Sequence, residues 1–559
     1  MRESLIRFVV VGCAFLALAA SPAIGQTAGQ PKAAEPPPSL FDDVVDVRVV
    51  NIEAVVTDKK GERVKGLGPA DFSLMVDGKE VPVQYFTEIQ DRQAVAPPAG
   101  GEVSGLPSLD PGGAVATSYL VFIDEFFSVP VDRDVVLRSL KAQLFRLGPE
   151  DSMAVVAFDG RRVSLLSRWT GSQKALAQAL DQAIGRNGQG LQRLAELNSF
   201  TTLRQTLMDG TGRQERLSLE ELDYASSLAE QLERSVAAAA NAMRGAASPP
   251  GRKVMLLLTG GWPFSVAQYV VRDRMRQPVN RDLPTGEELY GGLVDTANRL
   301  GYTIYPVDVK GIQGSGVSAR SNSFPVPEDY IREQEIHTAL QHVALETGGR
   351  ALLDADRAAS LERAESDTRS YYWLGFTPEW KGNDQRHDIR LRVLRPGLEV
   401  RSRESFLDLS RKAEVGLQVE SSMLFGPPPG SPRMMVKLEE PVRRGRSEME
   451  LPVTLGIPVA GFTPLQVDGR YVADLVLHVF ALDDQGRRSE IPAVPIRVAT
   501  QEAPSEDRYV PYSTRLLLRR TGQHLVLAVF DPVSGRISTA QIDMAPPGKE
   551  EKRGELRLR

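Results

Sequence analysis

The sequence predicts an α/β chain: a doubly wound, mostly parallel sheet flanked by β-sandwich segments, with a separate all-β domain towards the C-terminus. Three observations predict it. Residues 118–124 form an apolar run that stops at Asp124, the pattern of a strand buried on both faces. From there to about residue 350, short apolar runs alternate with amphipathic stretches, as parallel strands joined by helices do. Beyond residue 351 the pattern becomes strand-like alternation broken by turn signals, which suits antiparallel sandwiches.

The chain begins with Arg2 and Arg7, an apolar run over 8–20, and small residues at Ala23, Ile24 and Gly25, the layout of a cleavable secretory signal over 1–25. That run is too short to span a bilayer comfortably. Cys13, the only cysteine, lies inside it with seven apolar residues after it, whereas a lipidated cysteine follows the apolar core. The mature chain therefore has no thiol for a disulfide, for zinc or for nucleophilic catalysis. Its formal charge of −5 becomes −6 once Arg2, Arg7 and Glu3 leave. No basic face points to nucleic acid, and no second segment is apolar enough to cross a membrane. With 42% hydrophobic and 25% charged residues, the composition is that of a globular protein, so folded domains are expected along its length.

A Pro/Ala linker is expected over 26–44. Residues 45–92 read as three or four strands, with a hairpin at Asp77 and Gly78, and 93–115 as a Pro/Gly-rich linker. The α/β domain is placed at 116–360. Its strands are read at 118–124, 153–158, 163–169, 254–259 and 302–308. Its helices are read at 132–147, 172–184, from a capping box at Ser218 and Glu221, at 289–300, and at 335–347. Residues 185–217 and 265–288 read as loop insertions. Residues 361–408 supply three strands able to pair with 45–92 and close one sandwich around the α/β domain. A second sandwich is expected at 412–546 and a charged tail at 547–559.

In an open α/β sheet, ligands sit at the carboxyl ends of strands, which is where Asp124 falls. Taken alone, Asp124 and Ser128 are expected to satisfy backbone N–H groups at the start of the first helix. The nucleoside triphosphatase reading of residues 119–125 fails for want of a glycine-rich Lys-Ser/Thr loop, and a phosphatase reading fails at Phe126, where a second aspartate is needed. The histidines form no metal pair: His337 and His342 are five apart, off one helical face. Tyr371, Tyr372 and Trp373, read first as strand residues alternating between core and surface, are also tested as a sugar-stacking platform.

Several segments together resemble a von Willebrand factor A (VWA)-type domain, in the variant found in exported proteins of Acidobacteria. They are residues 55–61, 68–72, 119–124, 151–158, 254–261, 371–376 and 395–401. The resemblance implies an exported or periplasmic, non-enzymatic protein-binding, adhesion or scaffold protein whose partner is another protein. It also implies a metal-ion-dependent adhesion site, in which Mg²⁺ takes near-octahedral oxygen ligands and keeps one position for the partner's carboxylate. Carried over by position, Asp124, Ser128 and Thr201 match that site, while Phe126 and Gly260 stand where further oxygen ligands belong. No resident cofactor is expected, Mg²⁺ being the one candidate. The alternatives are a structural envelope component assembling through its β domains and, further off, a divalent-metal-dependent hydrolase.

Overall fold

The computed structural model describes residues 49–95, 114–208, 214–246, 251–271, 283–309, 327–413 and, with short interruptions, 415–545. The leader at 1–25, the linker at 26–44 and the tail at 547–559 lie outside the described residues, as does most of the linker at 93–115.

Five strands come first: Val50–Asp58 (β1), Phe72–Val76 (β2), Lys79–Val81 (β3), Tyr85–Gln90 (β4) and Gln93–Ala94 (β5). The α/β body follows with Thr117–Asp124 (β6), Pro130–Ala142 (α1), Ser152–Phe158 (β7), Val163–Thr170 (β8), Gln173–Ile184 (α2), Gly190–Met208 (α3) and Gln214–Gly245 (α4). It continues with Arg252–Thr259 (β9), Val266–Val271 (α5), Gly286–Leu300 (α6), Tyr302–Asp308 (β10), Pro327–Glu346 (α7) and Ser360–Arg369 (α8). Its sheet runs in the order β10-β9-β6-β7-β8, with β10, β9, β6 and β7 parallel and β8 antiparallel to β7.

Alternate residues of these strands feed two cores, because successive side chains leave a strand on opposite faces. Leu120, Phe122, Val156 and Leu257 pack under α3, α4, α6 and α7. Tyr119, Val121, Ile123 and Leu256 pack under α1, α2 and α8. Burial on both faces explains why these strands read as unbroken apolar runs. Two segments expected as loops are helical: 190–208, where Leu191, Leu194, Leu197 and Phe200 recur at helical spacing, and 266–271. The Ser218 capping box opens nothing, since α4 starts at Gln214 and Glu221 instead bonds Arg204 of α3 at 2.9 Å.

The chain then adds Tyr371–Phe376 (β11), Gln385–Val393 (β12), Leu398–Arg401 (β13) and Ser405–Asp408 (β14). They form two antiparallel sheets with the first five strands, β13-β1-β11-β4-β5 and β14-β12-β2-β3. Val50, Ile52, Ala54, Phe72, Leu74, Leu374, Phe376, Ile389 and Phe406 fill one core between them. Tyr371, Tyr372 and Trp373 are all buried, Tyr372 in that core and the other two against Val55, Ile89 and Val115. Neither face of β11 is surface, so the alternating reading and the sugar-platform reading both fall.

The remaining strands are Met435–Leu438 (β15), Val442–Arg443 (β16), Glu448–Pro458 (β17), Leu465–Val467 (β18), Arg470–Asp483 (β19), Arg488–Glu490 (β20), Val494–Thr500 (β21), Tyr509–Arg519 (β22), Gln523–Phe530 (β23) and Ile537–Met544 (β24). They build two further antiparallel sheets around a core that includes Leu451, Leu455, Leu475, Leu477, Leu525 and Leu527. The expected mostly parallel character thus belongs to one sheet; the other four described sheets are antiparallel.

The first sandwich is fastened to the α/β body by buried charge. Asp367 of α8 accepts from Arg63, from Arg401 and from the Tyr305 hydroxyl. Arg252 donates to the Asp367 carbonyl, sits 3.0 Å from Glu53 of β1 and lies over the Tyr371 ring at 4.2 Å.

Candidate functional site

In chain order the five strands of the mixed sheet run 3-2-1-4-5 across it, reversing direction of travel between β6 and β9. A crevice for a ligand is expected at the carboxyl ends on either side of that reversal. Asp124 closes β6 there. Because Ile123 pairs with Leu258 in parallel register, Thr259, the last residue of β9, falls beside it, and Asp308 of β10 falls beside Thr259.

Asp124 is fully buried, and both its oxygens are engaged. Oδ1 accepts the backbone N–H groups of Phe126 (3.1 Å) and Phe127 (3.2 Å). Oδ2 accepts the Thr259 hydroxyl and the Trp262 indole N–H, each at 2.8 Å. Burial pushes its pKa up to about 6, partly offset by the hydrogen bonds from Thr259, Phe127, Trp262 and Phe126. Trp262 is itself enclosed: its ring stacks on Tyr290 at 5.9 Å, Tyr290 stacks on Phe264, and the Tyr290 hydroxyl donates to the Pro263 carbonyl at 2.8 Å.

The other residues named from the sequence do not converge on this carboxylate. Ser128 is fully buried, but its hydroxyl has no hydrogen-bond partner among the described residues and caps no helix. Helix α1 takes Val129 as its N-cap and Pro130 in its first turn, without side-chain capping. Thr201 lies within α3, where Arg332 of α7 reaches its hydroxyl at 3.5 Å. The hydroxyl that meets Asp124 is that of Thr259, and its partner on the same oxygen, Trp262, carries no signal in the periodicity of the sequence. Phe126 fills the serine position with a ring set edge-on to Phe127. Gly160, whose φ of +93° already favours glycine, leaves room for that ring by lacking a Cβ, which would meet it at 2.2 Å.

The neighbouring acids face basic side chains, although the second carboxylate oxygen of Glu125 is buried without a hydrogen-bond partner among the described residues. Glu125 receives Arg186 at 2.7 Å and lies 3.6 Å from the buried Arg133. Asp308 lies 3.5 Å from Nε2 of the His337 ring, and this carboxylate raises the His337 pKa although burial opposes it. Among the described residues no three His, Cys, Asp or Glu side chains cluster in a way that would hold a metal ion. A near-octahedral Mg²⁺ needs several oxygens with free lone pairs. With Asp124 carrying four donors, Phe126 and Gly260 offering no side-chain oxygen and Thr201 approached by Arg332, Ser128 is the one matched position with a side-chain oxygen unengaged among the described residues, and the residues present do not fit that ion.

The outer surface of α1 and the start of α3 carries three exposed aliphatic side chains. Val131 and Val135 share the solvent stripe of α1 at 73% and 49% exposure, and Leu191 opens α3 at 58%. The two helix starts are close: a Cβ on Gly190 would come within 2.2 Å of the Ser128 carbonyl.

No protein-family model matches the sequence, and no curated protein does. Among solved structures, the chain is similar to the vWF domain of the type V pili tip protein Mfa5 from Porphyromonas gingivalis, at 10% identity and TM-score 0.25, covering 45% of this chain and 94% of that one. It is similar to the three N-terminal domains of the same protein at 9% identity and TM-score 0.25, over 85% of this chain and 97% of that one. A third similarity is to the PilB minor pilin from Streptococcus sanguinis, at 11% identity and TM-score 0.23, over 58% and 87%. At such scores the overlays are loose, and the chain's function has to be read from its own side chains.

Proposed function

We propose that this chain is an exported, non-enzymatic protein-binding module, an adhesion or scaffold protein that captures a protein partner on the rim around Asp124. The α/β body is read as a doubly wound, VWA-like domain, supported by the strand order 3-2-1-4-5 with the third strand reversed and by helices on both faces. Export is supported by the arginines, apolar core and small residues of 1–25. No helix among the described residues is long and apolar enough to cross a membrane.

The observation that carries the reading is the contrast at the rim. Inside, Asp124 is bonded to Thr259 and Trp262 and Glu125 to Arg186, with the Ser128 hydroxyl buried beside them, while the surface next to them offers Val131, Val135 and Leu191. Exposed apolar side chains at the starts of α1 and α3, next to the carboxyl end of β6, suit docking more than turnover.

A second reading, a structural envelope component, draws support from β22. This strand is eleven residues long and pairs only with β17 among the described residues, leaving an edge to which another strand can add. Photocrosslinking in the native envelope separates the two, with the crosslinker placed in turn at Val131, at Leu191 and at Leu517 of β22. A discrete adduct from the first two positions supports rim capture. Adducts only from Leu517 transfer the function to the sandwich edge, and adducts from none of the three refute both.

A further inference from the structure

We infer that the Trp262 indole N–H and the Thr259 hydroxyl occupy the place of a cation at the rim, so that the rim is set permanently by hydrogen bonds from neutral donors and does not respond to divalent metal. The inference deepens the binding reading above by saying how that surface is held. An ionised carboxylate offers about four acceptor positions. At Asp124 all four are used: two by the backbone of residues 126–127, which follow β6, and two by Thr259, which ends β9, and Trp262, in the turn after it. The single carboxylate therefore fastens two loops from neighbouring strands, the task a shared metal ion performs when several loops each give it an oxygen.

The substitution is not easily undone. An indole nitrogen is a donor only and cannot turn into a ligand. Its ring is fully buried against Tyr290, which the Pro263 carbonyl and the Phe264 ring hold in turn, so it cannot swing aside for an ion. Gly260, beside it, contributes no oxygen from a side chain, and Phe126 fills the other ligand position with carbon. The nearby carboxylates of Glu125 and Asp308 face Arg186 and His337. Partner capture by this rim is therefore indifferent to chelators.

The test uses the mature chain without a partner, so its failure is separate from failure of the crosslinking experiment. Hydrogen exchange by mass spectrometry is followed in peptides covering residues 124–129, with EDTA and with millimolar Mg²⁺, Mn²⁺ or Ca²⁺. Exchange that is the same in all four conditions, together with an unchanged melting temperature, supports the inference. Protection or a higher melting temperature with any of the metals overturns it. Trp262→Phe keeps an aromatic ring, though a smaller one, and deletes the donor. Loss of one hydrogen bond to a charged acceptor is expected to speed exchange of this segment about 10-fold. Exchange identical to the wild type overturns the role of Trp262. Thr259→Val, which removes the second donor at nearly constant volume, gives the same readout if the Phe variant does not fold.

Discussion

Asp367→Asn tests how the first sandwich is held to the α/β body. The native carboxylate is 2% exposed and accepts from Arg63, Arg401 and Tyr305, with Arg252 and Arg350 also acting on it. Burial alone would raise its pKa, but the guanidiniums of Arg401, Arg63, Arg350 and Arg252 outweigh burial and hold it below the ordinary carboxylate range. The amide keeps the shape and loses the charge, leaving Glu53 to balance the cluster. Removing one partner from a buried ion pair costs about 3–5 kcal/mol because the other charge stays buried. Arg63 and Arg401 are about a quarter exposed, which places the expected loss near the lower bound, about 3 kcal/mol. Urea unfolding followed by tryptophan fluorescence reads it, since Trp373 and Trp380 sit in or against the first sandwich. With its native pKa depressed, Asp367 stabilises the fold above the ordinary carboxylate range and loses that effect as pH falls through its native value, so the wild-type advantage over Asn should vanish in strong acid. Asp474→Asn, which breaks an exposed pair with Arg497, is the control and should leave the midpoint unchanged. An Asp367→Asn midpoint equal to that of the control would refute the assignment.

Three further outcomes are expected. Asp124 has its pKa raised, so the folded state binds the proton more tightly and this group's contribution falls as pH rises from about 4 to about 6; the difference between wild type and Asp124→Asn should change by up to about 3 kcal/mol across that window and be flat above it, as read by melting temperature against pH. Gly190→Ala places a Cβ within 2.2 Å of the Ser128 carbonyl and 2.6 Å of the Val129 nitrogen, so it should cost about 1–3 kcal/mol in thermal unfolding and reduce crosslinking from Val131. Leu455→Ala opens a cavity in the C-terminal core, where Leu455 is fully buried, and should lower stability by about 2–5 kcal/mol in urea while exchange of residues 124–129 stays unchanged.

Runs such as 118–124 and 254–259 were legible as strands because burial on both faces removes every polar residue until the strand ends. That ending also drew attention to Asp124. Its partners were not legible. Thr259 meets Asp124 only through the parallel register of β6 and β9, and Trp262 reaches it from a turn, whose side-chain direction no periodicity encodes. Helix α3 was missed although its apolar residues recur every third position, because interleaved Gln, Arg and Glu and an initial Gly190 imitate a loop. Tyr371 and Trp373 looked half exposed because alternation is judged against one sheet face, and here a second cluster covers the other.

The chain enters the first sandwich at β1 and leaves it after β14, so the described elements from β6 to α8 are inserted between strands that are already stitched together. Tension applied from one end of the polypeptide to the other passes through the ladders of that sandwich and bypasses the suspended body.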